Sequence, residues 1–528
     1  MTASAEPSRS LALVSLGCAR NDVDGEELAA ALSQAGWTLV DDPADAAIAL
    51  VNTCGFIDAA KKDSIDTILD AADLKSHGAT RGVVAVGCLA QRYGQDLARA
   101  LPEVDAVLGF DAYPRLATHL EAVLRGERLP SHVPTDRRRL LPITPVDRPR
   151  MADGVSVPGH RTALARAQRA QTGGSSAYPG SPAGPPTVGE DSAQRAVTAY
   201  EVVRTRLVDR PWAPLKIASG CDRRCSFCAI PFFRGSYVSR PPDEILAEAA
   251  WLADQGVREV LLVSENSTSY GKDFGDIRAL EGLLAGLAQI GGLDRIRLSY
   301  LQPAELRPAV IEAMCTIPKV LPYFDLSFQH ASSPVLQRMR RFGSTEHFLS
   351  LLASIRDLAP GAGVRSNVIV GFPGETEEDL QELESFLVAA RFDVVGVFGF
   401  SAEDGTEAAG LPGQIDAADI AERRERVGAL IEELTARRAQ ERLGERVEVL
   451  VEEVDTMEAE TAGEPSGGPA ARVLGRAGFQ GPDVDGCCEL IGDDGVGPFT
   501  EQRVPEIGSI VVGTVVETDG VDLLIEPS

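Results

Sequence analysis

The sequence predicts an α/β protein with an N-terminal parallel-sheet domain, a partial (β/α) barrel and a small C-terminal β-barrel. Short apolar runs alternate with helical patterns from Leu11 to about Gly126, and again from Val202 to about Phe400. This alternation is typical of βαβ units. From Arg446 onward the chain has short strand-like runs separated by Gly and Asp turns, as small β-barrels do. At 528 residues the chain is too long for a single core.

The composition narrows the functional classes. The chain is 44% hydrophobic and 24% charged, and it lacks an apolar run near the roughly 20 residues of a membrane span. Its start has neither a secretory nor a transit-peptide pattern, so we expect a cytoplasmic protein. In that reducing compartment, nine cysteines favour metal or redox chemistry over disulfides. The net charge of -27 argues against nucleic acid as the default partner.

The first predicted domain, residues 1–127, carries three separated cysteines. Cys18, Cys54 and Cys88 each end an apolar run, in LALVSLGC, AIALVNTC and GVVAVGC. Parallel neighbouring strands would bring all three thiols to the same edge of the sheet. The alternative is that they are three buried core cysteines, because Cys is often buried.

Residues 128–201 interrupt the alternation and are rich in Pro, Gly and Ser. Such a composition buries too little apolar surface to offset chain entropy. We therefore expect a disordered, protease-sensitive insert that is largely dispensable for chemistry. Its tight basic run, Arg137, Arg138 and Arg139, is interpreted as solvated linker, with a contact to a binding partner as the alternative.

The second predicted domain, residues 202–439, contains six strand candidates, which favours a partial barrel over a closed one of eight strands. Cys221, Cys225 and Cys228 lie in GCDRRCSFC, directly after the strand LKIAS. This is the first strand-to-helix loop, at the edge where such barrels place active sites. Structural zinc takes four ligands, and no fourth Cys or His follows nearby. A 4Fe–4S cube held by three thiolates, with one iron free, fits better.

A glycine-rich turn in VGFPGETEEDL is a further candidate site. Gly371 and Gly374 follow a strand, and Thr376 with Asp379 predicts a capping box at the start of the next helix. Exposed amides in this turn are suited to hold the polar ends of a cofactor. An ordinary strand-to-helix turn is the alternative.

Several polar residues end barrel strands or point into the barrel. Gln329 and His330 end LPYFDLSF, and we expect the His to be structural. Glu265 and Arg365 are, with Gln329, cofactor-binding candidates. Three cysteines lack metal-ligand spacing and are interpreted as structural: Cys315, Cys487 and Cys488.

The last predicted domain, residues 440–528, follows an amphipathic helix expected over Ile420 to Leu443. It holds 20 acidic residues and 5 Arg, net -15. More than half of the excess negative charge therefore lies in about a sixth of the chain. Such a domain suits a basic protein partner, with a merely solvated acidic surface as the alternative.

The spacing in GCDRRCSFC resembles the C-x3-C-x2-C signature of the radical S-adenosylmethionine (SAM) enzymes, with the aromatic Phe227 before the last cysteine as that family has it. The resemblance implies that SAM binds the open iron through its amino and carboxylate groups. It also implies that one electron splits SAM into methionine and a deoxyadenosyl radical. On this basis Phe227, Gly371 and Gly374 join the cofactor-binding candidates.

Together with the first three cysteines, this motif resembles the methylthiotransferase branch of that family over nearly the whole chain apart from the insert. The runs SLGCARNDVDGEE, NTCGFID, GCLAQRYG, FQHASS and VGFPGETEEDL look like the line that modifies a ribosomal protein. Enzymes acting on transfer RNA typically read NTCSVR. The departures are Ala19 in place of a usual Pro, the run SENSTSYG at Ser264 to Gly271, and the insert.

The resemblance implies two 4Fe–4S clusters, held by Cys18, Cys54 and Cys88 and by Cys221, Cys225 and Cys228, and a TRAM-like last domain. The implied reaction adds a methylthio group to the β-carbon of an aspartate in small-subunit ribosomal protein twelve. An electron donor and a sulfur source are further implied partners, and nucleic acid is expected only through the ribosome. The alternatives are a transfer-RNA adenosine methylthiotransferase and a non-catalytic iron-sulfur or zinc protein.

Overall fold

The computed structural model describes residues 9–140, 155–158, 204–457, 470–492, 499–500 and 504–528. Most of the predicted insert, and with it the prediction of disorder there, lies outside these residues. The chain forms two compact units. The first unit comprises residues 1–208, 216–224 and 228–248, and the second comprises 209–215, 225–227 and 249–528. The boundaries of the four predicted segments stay predictions.

The N-terminal part is a five-stranded parallel sheet with helices, as predicted. Its elements are β1 (Ser10–Ser15), α1 (Ala19–Gln34), β2 (Thr38–Leu39), β3 (Ile48–Thr53), α2 (Asp58–Asp73), β4 (Gly82–Val86), α3 (Gly87–Ala100), β5 (Ala106–Val107), α4 (Leu116–Leu124) and the short α5 (Arg137–Leu140). The strand order is β2-β1-β3-β4-β5. Every residue of β3 and β4 is buried, because helices cover both faces of a parallel sheet and select continuous apolar strands.

The next region is a partial (β/α) barrel. Its elements are β6 (Trp212–Lys216), β7 (Ala218–Ser219), α6 (Ile230–Arg234), β8 (Val238–Ser239), α7 (Pro242–Asp254), β9 (Glu259–Val263), α8 (Ala279–Ala288), β10 (Arg295–Leu298), α9 (Pro308–Thr316), β11 (Tyr323–Gln329), α10 (Ser333–Arg338), α11 (Thr345–Leu358), β12 (Gly363–Val370), α12 (Glu377–Ala390), β13 (Val394–Gly399) and α13 (Ala417–Gln440). Strands β6, β9 and β10 form one sheet and β11, β12 and β13 another. Parallel bridges, including Leu301 to Leu326, connect β10 to β11. The six predicted barrel strands are confirmed.

Two local predictions about helices are also confirmed. Helix α12 begins with a complete capping box between Thr376 and Asp379. Helix α13 buries Val427 and Ile431 on one face and contacts β13 and β18, the latter in the last domain. Among the described residues, no helix is both long and apolar enough to cross a membrane.

The C-terminal region is a closed β-barrel. Its strands are β14 (Arg446–Met457), β15 (Ala470–Ala477), β16 (Cys488–Leu490), β17 (Phe499–Thr500), β18 (Ile510–Asp519) and β19 (Asp522–Pro527). The order β14-β18-β19-β16-β15 closes through the pairing of β14 with β15, and β17 extends β15. Closure leaves few exposed edges. Val449, Val473 and Ile525 lie at the centre of its core.

A buried ion cluster connects the two barrels within the second unit. Glu259 of β9 accepts from Arg297 at 2.9 Å and from Arg476 of β15 at 3.2 Å. Burial alone would raise the pKa of Glu259, but the surrounding arginines outweigh burial and lower it to about 2. The carboxylate is therefore ionised at neutral pH, and its loss would leave buried arginines uncompensated.

Candidate active site

Cys18, Cys54 and Cys88 lie at one edge of the N-terminal sheet. Cys18 follows β1, Cys54 follows β3, and Cys88 is in the first turn of α3, directly after β4. These three strands are neighbours and run parallel. Their carboxyl ends meet at the same edge, where α/β sheets bind ligands. The structure thus brings together the three cysteines, here named the sheet-edge triplet.

Glycine precedes two of these cysteines because the backbone turns sharply there. Gly17 has φ +103° and Gly87 has φ +90°, in the region that favours glycine. A Cβ at position 17 would lie 2.7 Å from Cys54 Cβ and 2.8 Å from its Sγ. A larger residue would displace Cys54, so Gly17 sets how closely the strand ends approach.

Two buried asparagines fix this edge, and the sequence analysis missed them. Asn21 Nδ2 donates to the carbonyls of Leu16 (2.7 Å) and Asn52 (3.1 Å). In return, Asn52 Nδ2 donates to the carbonyl of Asn21 at 2.8 Å. Their position in the sequence could have identified them, because each asparagine lies within three residues of a cysteine and a buried side-chain amide needs hydrogen-bond partners.

Two arginines set the electrostatics of the sheet-edge triplet. Arg20 Nε donates to Cys18 Sγ at 3.4 Å, and Arg234 Nη2 donates to Cys88 Sγ at 3.2 Å. Burial raises the pKa of a thiol, yet the charges of Arg20 and Arg234 outweigh it and lower the pKa of Cys18. Burial and the neighbouring Cys88 and Cys18 raise the pKa of Cys54 to about 11. Burial also raises the pKa of Cys88.

The donor chemistry of this triplet fits an iron-sulfur cluster. Across the described ranges, no three His, Cys, Asp or Glu side chains stand in a ready metal-binding arrangement. The thiols of the sheet-edge triplet nonetheless share one edge and oppose each other's ionisation. Three thiolates here therefore require a compensating cation, and a coordinating metal deprotonates thiols outright.

Cys221, Cys225 and Cys228, here named the loop triplet, lie between β7 and α6. Gly220 has φ +80°, and a Cβ there would lie 2.1 Å from the carbonyl oxygen of Ser236. The Cys221 amide donates to the carbonyl of Gly235 at 3.1 Å. These contacts close the loop at its base, so only glycine is tolerated at position 220.

The middle of the loop, residues 225–227, belongs to the second unit and is fixed by other residues of that unit. The Ser226 amide donates to the carbonyl of Met339 at 3.1 Å, and its hydroxyl donates to that of Arg338 at 2.7 Å. Arg341 Nη1 lies 3.7 Å from Cys225 Sγ. A cation therefore accompanies this thiol too.

The two triplets are connected within the first unit through α6. Ala229, the neighbour of Cys228, packs with Phe233, Phe110 and Cys88 in one apolar cluster. Arg234, at the end of α6, donates to Cys88 Sγ. The segment that leaves the loop triplet therefore contacts the sheet-edge triplet.

Phe227 lies in the barrel core. It packs edge-on against Phe372, with ring centroids 6.5 Å apart, and joins a cluster with Val335 and Met339. These contacts explain an aromatic residue at this position by packing. A cofactor contact for Phe227 stays a prediction.

The glycine-rich turn corrects one expectation. The Gly371 amide donates to both carboxylate oxygens of Glu375 at 3.0 Å, and the Gly374 amide donates to the carbonyl of Gly413 at 2.7 Å. Both amides are already paired within the protein, so they are not the exposed donors that the sequence suggested. The turn is held by its own carboxylate.

Gln329 ends β11, as predicted, and His330 directly follows the strand. His330 is buried, lies 3.4 Å from Glu375 and accepts from the Ser332 amide at 3.0 Å, in agreement with a structural role. Gln329 has φ +71° and follows a register shift in β11. A strained non-glycine residue at the catalytic edge of a barrel is a typical functional feature, so its predicted cofactor role keeps support.

The remaining candidates have different surroundings. Arg365 is the third residue of β12, toward the opposite end of the strand, and lies 3.5 Å from Asp485 of the last domain. Arg365 therefore lies beside the last domain, and its cofactor role stays a prediction. Glu265 is half-buried just after β9, and in the same run Asn266 donates to Glu305 at 3.1 Å.

The other three cysteines belong to neither triplet. Cys315 lies in α9, and the buried Cys488 bonds to Gln480. Cys487 is half-buried beside it. Their structural roles stay predictions.

Arg137, in the described part of the insert, is buried, which corrects the expectation that it is solvated. Its side chain is fully buried, bonds to both oxygens of Asp111 at 2.9 and 3.0 Å, and donates to the carbonyl of Ser156 at 2.6 Å. Ser219 Oγ donates to the carbonyl of Pro158 at 2.8 Å. Insert residues therefore contact the strand that precedes Cys221, so part of the insert supports the loop triplet.

Charges of the C-terminal region divide between buried and exposed positions. Arg442 and Arg476 are buried, Arg446 is exposed, and Arg472 pairs with Glu489 at 2.7 Å. Glu452 pairs with Arg476 at 2.5 Å, whereas Glu453 is exposed. The acids at positions 493 and 494 lie outside the described residues.

Two family models match parts of the chain. Residues 10–109 match the uncharacterized protein family UPF0004, and residues 215–387 match the radical SAM superfamily. The first range contains the sheet-edge triplet, and the second contains the loop triplet.

Curated relatives match almost the whole chain. "Ribosomal protein uS12 methylthiotransferase RimO" of Kineococcus radiotolerans is 56% identical over 520 residues, covering 98% of this chain and 97% of the relative. The protein of the same name from Nocardioides sp. is 55% identical, with the same coverage. Among solved structures, the radical SAM methyltransferase TsrM of Kitasatospora setae aligns at a TM-score of 0.48 and 15% identity, covering 74% of this chain and 73% of that one.

Proposed function

This chain belongs to the RimO family of ribosomal protein uS12 methylthiotransferases, and we propose that it transfers a methylthio group to uS12 with SAM as methyl donor and radical source. The identity of 52 to 56% over 98% of the chain supports the assignment. The substrate atom that we propose is the β-carbon of an aspartate. Its hydrogen is not acidic enough for a general base, which favours removal by a radical.

The loop triplet would hold one 4Fe–4S cluster. Three thiolates leave one iron open, and this cluster with SAM supplies one-electron cleavage that generates a hydrogen-abstracting radical. The protein contributes the fixed loop: Gly220 closes it at Ser236, and Ser226 anchors its centre on α10 and Met339. Arg341 provides positive charge beside Cys225.

The sheet-edge triplet would hold the second cluster, where the transferred sulfur is carried. The observation that carries this proposal is the contact of α6 with Cys88, through Ala229 and Arg234. A short path between the two triplets is what successive radical formation and sulfur transfer need. The reaction also requires an electron donor and a sulfur source as partners.

The acidic C-terminal barrel suits a basic protein substrate. Glu453, Asp455, Glu517 and Glu526 are exposed. Of the arginines described in this region, Arg446 and Arg472 are exposed and Arg442 and Arg476 are buried, so acids outnumber bases at the described surface. Complementary charge raises association rates with basic partners and opposes phosphate backbones. A ribosomal target also implies a cytoplasmic enzyme.

The test is mass spectrometry of uS12 from a strain that lacks this gene. The methylthio modification of one aspartate should be absent and should return with the wild-type gene. A gene carrying Cys54→Ala should not restore it. Unmodified uS12 in the wild-type strain, together with loss of a methylthio group from transfer RNA on deletion, would replace this proposal with the nucleic-acid alternative.

The purified chain gives a second test. After anaerobic reconstitution with iron and sulfide, it should produce deoxyadenosine from SAM in the presence of a strong reductant. Absence of deoxyadenosine from protein that binds iron fully would support a non-catalytic iron-sulfur protein instead.

A further inference from the structure

A buried chain of charges leads to the sheet-edge triplet. Arg234 Nη2 lies 3.2 Å from Cys88 Sγ and 3.2 Å from Asp24 Oδ2. Asp24 also pairs with Lys216. The side chains of Asp24 and Lys216 are fully buried, and that of Arg234 is 4% exposed. Solvent therefore screens this chain of charges very little.

The geometry fixes the direction of the Arg234 donor. The Nη2 atom carries two hydrogens, and its contacts include one carboxylate oxygen, of Asp24, and one sulfur, of Cys88. The guanidinium also lies over the ring of Phe110, 5.4 Å from its centroid. A planar group held at a carboxylate and at a ring face has little freedom to turn away from the sulfur.

We propose that Arg234 is a positioning residue that holds a hydrogen-bond donor on the Cys88 sulfur and thereby raises the reduction potential of the cluster at the sheet-edge triplet. This inference rests on the proposed function, which assigns a cluster to that triplet. Hydrogen bonds to cluster sulfurs withdraw negative charge and stabilise the reduced state, which carries one more electron. Asp24 and Lys216 serve to hold Arg234 in place.

The sequence position of Arg234 gives this arrangement a second consequence. Arg234 ends the helix that follows the loop triplet, only six residues after Cys228. The donor to one triplet is therefore carried by the segment that leaves the other. Arg20 is a second donor, to Cys18, but it is half-buried, so solvent screening makes its effect on the potential smaller.

The experiment isolates the sheet-edge cluster. Cys221, Cys225 and Cys228 are changed to Ala together, the protein is reconstituted with iron and sulfide, and the midpoint potential is measured by a redox titration followed by electron paramagnetic resonance. Arg234→Gln and Arg234→Lys are then added to this background. The matched control is Arg99→Gln, which removes an arginine from α3, the helix of Cys88, at an exposed side chain paired only locally with Asp96.

We expect Arg234→Gln to retain its iron, because Asp24 keeps Lys216 as a partner, and to shift the potential to more negative values. Arg234→Lys should also shift the potential to more negative values, because a lysine lacks the forked donor set. The shift should be smaller than that of Arg234→Gln, because the lysine keeps the positive charge. Arg99→Gln should leave the potential unchanged. If Arg234→Gln does not fold, a negative shift in Arg234→Lys supports the proposal and an unchanged potential overturns it.

Full iron content with an unchanged potential in Arg234→Gln would overturn the inference and leave the proposed function intact. Loss of iron in Arg234→Gln with a normal potential in Arg234→Lys would also overturn it, because that result indicates a purely structural role. If the triple cysteine background itself holds no iron, the second cluster is wrong, and this inference falls with it.

Discussion

The loop triplet spans eight consecutive residues, whereas the cysteines of the sheet-edge triplet are 36 and 34 residues apart. The first depends on one loop between β7 and α6. The second depends on the register of β1, β3 and β4, because only parallel pairing in that order brings the thiols to one edge. One donor set is therefore encoded by local spacing and the other by the topology of a sheet.

The comparison extends to how each triplet is supported. In both, a glycine with positive φ precedes a cysteine, at Gly17 and at Gly220, and an arginine approaches a cysteine sulfur. The same two local features, a glycine with positive φ and a nearby arginine, thus support one site formed by a loop and one formed by a sheet edge. The difference is that the sheet edge also needs the buried pair Asn21 and Asn52 to keep separate strand ends together.

The largest expected effect comes from removing either triplet as a whole. Changing Cys221, Cys225 and Cys228 to Ala should leave about half the iron and abolish SAM cleavage, because each cube is held by its own three thiolates. Changing the sheet-edge triplet to Ala should also remove about half the iron, but deoxyadenosine formation should continue. Iron analysis and chromatography of the SAM products measure both.

The two triple cysteine variants test whether the triplets are separate sites with separate chemistry. If either triple variant kept all of its iron, the two triplets would not be separate sites. If the sheet-edge variant lost SAM cleavage while keeping half its iron, the chemistry could not be divided between the triplets as proposed.

Substituting the glycine before Cys18 or before Cys221 should have a smaller effect, which is confined to one triplet. Gly17→Ala forces a Cβ against Cys54, and Gly220→Ala forces one against the carbonyl of Ser236. Each should lose iron at its own triplet only, and the backbone strain should lower the free energy of unfolding by about 1–3 kcal/mol. Gly256→Ala is the control, because it has φ +86° with open space around it. Equal iron loss in all three variants would mean that strain alone explains the effect.

A smaller effect is expected where the insert supports the loop triplet. Arg137→Gln removes a guanidinium bonded to Asp111 and to the Ser156 carbonyl. It should lower the free energy of unfolding by about 1–3 kcal/mol, as loss of hydrogen bonds to a charged group does. Thermal unfolding and the rate of SAM cleavage measure the change.

Arg138→Gln is the matched control for this prediction. Its side chain is 46% exposed, pairs with the nearby Asp136 and lies 5.9 Å from the centre of the Phe232 ring. Because such exposed contacts contribute little, the change should alter stability by less than about 1 kcal/mol. Identical behaviour of the two variants would return Arg137 to the role of solvated linker.

The sequence predicted features that depend on pattern and missed those that depend on distant partners. The strands ending at Cys18, Cys54 and Cys88 could be predicted because buried parallel strands are continuous apolar runs. The amides of Gly371 and Gly374 were expected to be exposed, but their acceptors include Gly413, which spacing cannot identify.

The surroundings of charged side chains could not be predicted for the same reason. A sequence counts charges but does not pair them across the fold. Arg365 lies beside Asp485, which is 120 residues further along the chain. Glu452 pairs with Arg476 in the neighbouring strand. Arg137 was assigned to a solvated linker because its neighbours are polar, whereas its partner Asp111 lies in the sheet domain.

The smallest expected effect concerns substrate association, which should leave both triplets untouched. The C-terminal barrel strands contain none of the six triplet cysteines. Changing the exposed acids Glu453, Asp455 and Glu517 to Lys should therefore preserve iron content and uncoupled SAM cleavage. Binding of basic uS12 should become several-fold slower at low salt, because complementary charge acts mainly on the association rate.

Salt and a matched variant decide whether this effect is electrostatic and local. The Debye length falls from about 10 Å at 0.1 M to about 3 Å at 1 M salt, so the difference from wild type in stopped-flow association should disappear at 1 M. The control changes Glu422, Glu425 and Glu432, exposed on α13, to Lys and so reverses the same number of charges outside the C-terminal barrel. Equal slowing by both variants would indicate that net charge alone steers uS12, and the C-terminal barrel would then have no special role in recognition.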